Sequence, residues 1–385
     1  MRKAAFALFF SVVLALHTTI NSYIFLKGWD VLPQNTALRT LYSIGFAILA
    51  LSFIVGRLAE RRKITRLSTA LVWIGSFWLA AMAYFFLILV SLDVIRLTDA
   101  IVPWFPSFLS IDPLLTKQIV GLLVVGVVSG ALILGHLNAI RPRIRTLNLR
   151  VDKNHSSMKE LNIVAVSDIH LGTIIGKKRL ESIVAQINGL NPDLVLLPGD
   201  VFDEDIGPVI KENLGETLRT IRSKYGVYAV TGNHEYIGGE KAACQYLEDH
   251  GITVLRDRWI TINGSVVVVG REDISIRQFS GKQRKSLEEV MAGVDKQYPV
   301  ILLDHQPFRL NEAERNGVDL QLSGHTHHGQ LWPFNYISQK VFEVSWGYKQ
   351  KGNTHFYVSC GVGTWGPPVR IGNHPEIMNV RLTMN

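Results

Sequence analysis

The feature that most constrains this chain is the length of its apolar runs, nearly all of which lie before His136. A single segment in lipid must satisfy every backbone N–H and C=O internally, which a helix of about 20 mostly apolar residues achieves. Four stretches reach that length, at residues 4–26, 38–58, 67–92 and 119–137. The third is the plainest, with Trp73, Trp78 and Tyr84 among aliphatic residues and no charge inside. The fourth carries Gly121, Gly126 and Gly130, small residues of the kind that let helices approach closely. The sequence thus predicts an all-α membrane module over 1–140 with four transmembrane helices. The first stretch also has the outline of a signal peptide, since Arg2 and Lys3 precede it, but no small-residue cleavage site follows.

The hydrophobic fraction of 48% over 385 residues is an average of two unlike halves. The formal net charge of +8 has the same uneven origin. Arg57, Arg61, Arg62, Lys63 and Arg66 lie between the second and third runs, and Arg141, Arg143, Arg145 and Arg150 follow the fourth. Cations at the ends of spans meet anionic headgroups, so the excess points to a membrane partner and not to nucleic acid. The other two loops are poor in Lys and Arg, which places both chain ends, and with them everything after the fourth run, in the cytoplasm. The loop with Trp104, Phe105 and Phe108 falls on the outer face. Cys244 and Cys360, too few for a disulfide framework, read as free thiols.

Residues 141–159 are basic, polar and broken by Pro142, and read as a linker to a domain over 160–385. There, short apolar runs at 161–166, 194–197, 227–230, 266–269, 300–303 and 320–322 read as buried strands. Helical patterns lie between several of them, at 178–188, 240–250 and 283–292, so the domain is α/β. Five strands end in chemistry: Ser167-Asp168-Ile169-His170, Pro198-Gly199-Asp200, Gly232-Asn233-His234-Glu235, Asp304-His305 and Gly324-His325-Thr326-His327. Open α/β sheets bind ligands beyond the carboxyl ends of their strands, so these groups meet at one rim. A lone Gly-Asp is usually a turn and a lone His a satisfied surface residue. Two aspartates, an asparagine and five histidines together would repel or titrate unless cations neutralised them. Nitrogen and oxygen donors without thiolate suit manganese, with iron or zinc as alternatives.

DxH, GD, GNHE, a His before Gln-Pro, and GHTH, in that order over roughly 161–383, resemble the calcineurin-like metallophosphoesterase superfamily. The ending Gly361-Val362-Gly363-Thr364, Pro368-Val369-Arg370 and Pro375-Glu376-Ile377 resembles a bacterial membrane-associated branch that includes UDP-2,3-diacylglucosamine pyrophosphatases. This chain departs from that branch at His328, where glycine is common.

The resemblance implies a four-layer α/β/β/α sandwich and two divalent metal ions. One ion would be held by Asp168, His170, Asp200 and His327, the other by Asp200, Asn233, His305 and His325, with Asp200 bridging. It also implies attack on phosphorus by a hydroxide lying between the ions. His234 would then protonate or bind the leaving oxygen, oriented by Asp203. Arg370, whose fork can hold two oxygens, is the candidate substrate-phosphate clamp. Trp365 reads as packing.

The function expected is hydrolysis of a phosphodiester or pyrophosphate bond in a phospholipid or other lipid-linked phosphate, at a bacterial inner membrane. A phosphatase or phosphodiesterase for soluble nucleotides or phosphoproteins is the alternative, to be separated by whether an apolar entrance lies beside the metals. A non-catalytic membrane scaffold would show missing ligands, and none of the eight positions is missing. The topology has a direct test. With native thiols removed, a membrane-impermeant reagent on intact cells should label Ser107→Cys and spare Ser157→Cys; the reverse pattern would put the catalytic part outside.

Overall fold

The structure, a computed structural model, describes residues 2–102, 112–153 and 156–384. The aromatic outer loop expected around Trp104 falls outside these residues. The chain divides into two compact units, Met1–Gly135 and His136–Asn385.

The long apolar runs all become helices: α1 (Arg2–Val31), α2 (Thr36–Arg62), α3 (Arg66–Ile101) and α4 (Pro113–Ala139). Side-chain caps set two of the starts. Asn35 accepts the Leu38 N–H at the head of α2, and Thr65 and Ser68 form a reciprocal capping box at the head of α3. Three described helices are long and apolar enough to cross a membrane: Thr36–Arg62, Arg66–Ile101 and Leu114–Ala139. Among the described residues the count of such helices is three, against the four expected. The middle of α1 carries the polar run His17, Thr18, Thr19, Asn21 and Ser22. Those residues serve the bundle instead: His17 Nε2 lies 2.9 Å from the Ala50 carbonyl, and buried Asn21 accepts from Trp78 Nε1 at 2.9 Å.

Close helix contact also falls elsewhere than expected. A side chain at Gly126 or Gly130 would meet nothing within 4 Å among the described residues, whereas one at Gly75 would run into the backbone of Phe53. The α2–α3 contact needs small residues, and so does the α1–α2 contact at Gly28, where a side chain would overlap Tyr42. Beside it, a cavity of about 870 Å³ runs among the helices, walled by Phe46, Trp78 and Phe85 and edged by Lys27, Asp93 and Arg96.

In the second unit two six-stranded sheets stack. The strands of the first are β1 (Arg143–Val151), β2 (Glu160–Ala165), β3 (Leu194–Leu197), β4 (Val227–Ala229), β5 (Ile252–Val254) and, after the second sheet, β12 (Glu376–Met384). The second contains β6 (Arg258–Ile262), β7 (Val266–Gly270), β8 (Val300–Leu303), β9 (Leu320–Ser323), β10 (Gly347–Lys351) and β11 (Thr354–Val358). The orders are β1-β12-β2-β3-β4-β5 and β10-β11-β9-β8-β7-β6. β2 through β5 run parallel, as do β7, β8, β9 and β11, so their carboxyl ends share a direction within each sheet.

Alternation of side chains explains why these strands read as unbroken apolar runs. Val195 and Leu197 of β3 point into an outer core with α5 (Lys177–Gly189), and Leu194 and Leu196 point into a central one. On β8, Ile301 and Leu303 face the central core, while Val300 and Leu302 face a third core beneath Leu287, Val290 and Leu310. Helix, sheet, sheet, helix is the four-layer α/β/β/α sandwich expected.

Strand β1 is the main correction in this unit, since it lies within 141–159, the stretch expected to be a linker. It pairs in parallel with β12 over nine residues, and Leu149 and Val151 enter the central core. A linker would tolerate their loss, whereas a core strand would not. Leu149→Ala should lower unfolding stability by about 2–5 kcal/mol, while Ile144→Ala, at an exposed position on the same strand, should change it little. Thermal and denaturant melts of the full chain in detergent measure both.

Candidate metal centre

The parallel strands deliver the chemistry. Asp168 and His170 follow β2, Asp200 follows β3, Asn233 and His234 follow β4, His305 follows β8, and His325 and His327 follow β9. All seven expected ligands therefore reach one rim. They form two groups. Asp168, His170 and His327 each offer a donor atom within 4.8 Å of the others, and so do Asp200, His305 and His325. Asn233 joins the second, with Oδ1 3.2 Å from His305 Nε2 and 2.7 Å from His325 Nδ1. Asp200 stands between them, its Oδ2 3.1 Å from His305 Nε2 and 3.9 Å from His170 Nε2.

These donors fit divalent cations. His170 Nε2 and His327 Nε2 face each other at 2.9 Å, and Asp168 Oδ1 lies 3.6 Å from His327 Nε2. One proton can serve one such contact, whereas a cation between the atoms serves them all. Burial, then neighbouring imidazoles, pushes His170 and His325 down to about 3. His327 is also held well below its ordinary value, by burial, His170 and Arg370. All three are thereby uncharged, as ligand imidazoles must be. Burial opposes the charge on Asp200, but His305, His234 and His170 outweigh it and keep the carboxyl well below the usual range. Burial likewise opposes protonation of His305, and Asp200 reverses that, raising it well above normal. A cation bound there would take the place of that proton.

His234 lies outside both ligand groups, with Nδ1 3.4 Å from Asp203 Oδ1. Asp200 and Asp203 overcome the effect of burial and push it up to about 9. The two residues expected to act as a pair are thus adjacent, and both are buried.

Backbone conformation gives the ligands their aim. Asp168, His170, Asp200, His325 and His327 all have positive φ, between 44° and 71°. Such conformations cost non-glycine residues about 1–3 kcal/mol each and gather at functional sites. A side chain at Gly324 would overlap Ser167 Oγ and Asp168 Oδ2, so glycine is required where β9 hands over to His325.

The centre opens into a pocket of about 470 Å³. Ligands and His234 line it together with an apolar wall of Leu331, Phe334, Phe342, Trp365 and Pro367, and the Phe342 ring lies 5.9 Å from that of His325. Trp365, expected to be packing, is instead half exposed, its ring 6.1 Å from that of His234.

Arg370 also stands apart from its expected role. It is fully buried, donating to the carbonyls of Cys360 and Gly363 and to Asn373 Oδ1, with Nη2 3.1 Å from His327 Nδ1. It lies behind a ligand and is not part of the pocket wall, so it is corrected from phosphate clamp to support of His327.

Two further residues were missed by the sequence reading. Buried Glu235 accepts the backbone N–H groups of Asp200, Phe202 and Gly232 at 2.7–3.0 Å, tying two ligand loops together. Its signal was available, since a Glu three residues into a helix that follows a turn often reaches back to the cap. Gln330 brackets the wall, donating to the carbonyls of Trp365 and Pro367 and accepting the Trp365 N–H. Nothing local marks it.

A fold of this kind with two adjoining groups of nitrogen and oxygen donors defines a dinuclear metallohydrolase. A model of the calcineurin-like phosphoesterase family matches residues 161–329. The chain is 32% identical over 249 residues to an uncharacterized metallophosphoesterase of Aquifex aeolicus, covering 64% of this chain and 94% of that one. It belongs to the calcineurin-like phosphoesterase family, whose members are metal-dependent phosphoesterases. Over 247 residues it is 34% identical to an uncharacterized metallophosphoesterase of Helicobacter pylori, covering 63% of this chain and 64% of that one. Over 261 residues it is 31% identical to a transmembrane protein with metallophosphoesterase domain of Danio rerio, covering 64% and 59%. The chain thus spans less than two thirds of the length of these last two relatives.

The geometry sets an expectation for metal content. Asp200→Ala and Gly324→Ala should each lose most of the bound divalent metal, measured by elemental analysis, with the circular-dichroism spectrum of the fold retained. Full metal content in Asp200→Ala would contradict its place between the two groups.

Proposed function

We propose that this chain is a membrane-anchored, two-metal phosphoesterase that hydrolyses a phosphodiester or pyrophosphate bond in a lipid or lipid precursor. The observation that carries the substrate class is that the apolar wall of Leu331, Phe334, Phe342, Trp365 and Pro367 shares one pocket with the metal ligands. An acyl chain or similarly apolar group fits against that wall while a phosphate meets the ligand side. The likeness of residues 361–377 to the branch with UDP-2,3-diacylglucosamine pyrophosphatases supports the same class. A soluble nucleotide is the second reading, because the exposed face of Trp365 would also stack a base.

When bound, two divalent cations, manganese by preference for this donor set, polarise a phosphoryl group and acidify a water. The chain's own residues do the rest. Asp168, His170 and His327 would hold one cation and Asn233, His305 and His325 the other, with Asp200 placed between the two groups. Asp203 fixes the ring of His234 through Nδ1, which leaves Nε2 to donate a proton to the departing oxygen. Arg370 keeps His327 uncharged and in place.

The catalytic unit belongs on the cytoplasmic side. Two spans, α3 and α4, separate the basic turn at Arg61–Arg66 from the basic stretch after Ala139, so both lie on one side whether or not α1 crosses.

The test compares a lipid-linked phosphodiester or pyrophosphate with its deacylated analogue, using full-length protein in mixed micelles with manganese. Hydrolysis should favour the acylated compound, and His234→Ala should lower turnover about 10²–10⁴-fold with metal content unchanged. Equal rates on both compounds at all detergent dilutions would replace the lipid reading with the soluble one.

A further inference from the structure

Next to the metal pocket the second unit exposes large apolar side chains where a water-soluble surface would have few. Trp332 is 51% exposed and Trp365 53%. On α6 (Asn335–Val341), Tyr336, Ile337 and Val341 are 55%, 60% and 56% exposed, and the helix buries none of its residues. Gathered apolar exposure of this kind marks a surface that something covers.

The two segments that carry these residues are joined. Gln330 donates to the carbonyls of Trp365 and Pro367, and the Trp332 N–H donates to the Ile371 carbonyl at 2.7 Å. Segments 330–342 and 365–371 are therefore fastened together, and both contribute to the pocket wall.

The second observation says what covers it. The 368–373 loop is bonded to the last turn of α4. His136 Nδ1 lies 2.7 Å from the Pro368 carbonyl, and Asn138 Nδ2 donates to the carbonyls of Arg370 and Asn373 at 2.9 and 2.7 Å. Leu114–Ala139 is a candidate membrane span, so its last turn lies where the chain leaves the bilayer. The loop hooked to that turn lies at the same depth. Exposed Arg141 and Arg143 follow directly, as suits anionic headgroups. Tryptophan and tyrosine with aliphatic neighbours are the composition favoured at a membrane interface.

We infer that Trp332, Tyr336, Ile337, Val341 and Trp365 form a bilayer-binding surface, which seats the mouth of the metal pocket in the headgroup layer. α6 lies in the interface with its apolar side about 5–10 Å into the headgroup and acyl boundary. The occupant is a phospholipid surface, and not a second copy of the chain. The inference rests on the membrane-span reading of α4 and is independent of what the metals cleave.

Nitroxide labels on full-length protein test this in vesicles of phosphatidylcholine with a minority of phosphatidylglycerol. Single cysteines replace Ile337, Val341 and, as a control, exposed Lys296, which precedes β8 at the sheet end away from the rim. Cys244 and Cys360 are buried and need no replacement. Power-saturation spectroscopy then reads collision of each label with oxygen, which enriches in lipid, and with a water-soluble nickel chelate. The expected result is a ratio of oxygen to nickel collision several-fold higher at 337 and 341 than at 296. Equal, water-like ratios at all three positions would overturn the proposal. Low collision with both reagents at 337 and 341 would also overturn it, because protein and not lipid would then cover the surface. Tyr336→Cys repeats the measurement should either variant fail to fold. None of these outcomes depends on hydrolysis, so failure here is distinct from failure of the substrate reading.

Discussion

The carboxylate of Asp200 stands where the two ligand groups meet, and much of the second unit serves to keep it there in its ionised form. Burying a carboxylate costs several kcal/mol unless opposite charge and hydrogen bonds compensate. Here the His234 N–H donates to Oδ1 at 2.8 Å, and His305 and His170 approach Oδ2. The Asp200 backbone N–H is held in turn by Glu235. Burial and the nearby Asp200 raise Glu235 to about 7, so one carboxylate stabilises the position of another only because three backbone N–H groups converge on it. Divalent cations held by these groups would complete the compensation that protein groups begin.

The rim is strained because the sheets behind it are not. Five ligands adopt left-handed backbone conformations, which the chain holds only where the surroundings over-determine them. Those surroundings are β2, β3, β8 and β9, nearly every residue of which is buried on both faces. The central core between the sheets fixes the strand ends, and the turns beyond them have no freedom to relax. Stability of the sandwich and precision of the site are thus one property.

The chain from Pro367 to Asn373 connects three features that are far apart in sequence. Gln330 fixes its apolar end against the pocket, Arg370 reaches from its middle to His327, and Asn138 at the end of α4 bonds its carbonyls. The last turn of a span and a metal ligand are therefore separated by only two side chains, Asn138 and Arg370. A phosphoesterase positioned in this way has its pocket mouth set by the same contacts that set its ligand.

Much was legible in the sequence, and for local reasons. Strand cores such as Leu194–Leu197, the ligands at their ends and the apolar helices are written in runs of neighbouring residues, and each run satisfies its own backbone. The ordered ligand motifs identified the family for the same reason. The reading failed where a residue's meaning depends on what lies across space. β1 interleaves Arg143, Arg145 and Arg150 with apolar residues and looks like a basic linker until β12, more than two hundred residues later, pairs with it. Arg370 looks like an anion clamp until its burial behind His327 is seen, and Trp365 looks like core until the wall it belongs to is assembled. The sequence by itself determined which groups would meet and that metals would be needed to hold them, because charge of that density permits little else. Only the tertiary structure decided which side of each group faces the pocket, because that is set by long-range pairing and by backbone angles that no run of neighbouring residues encodes.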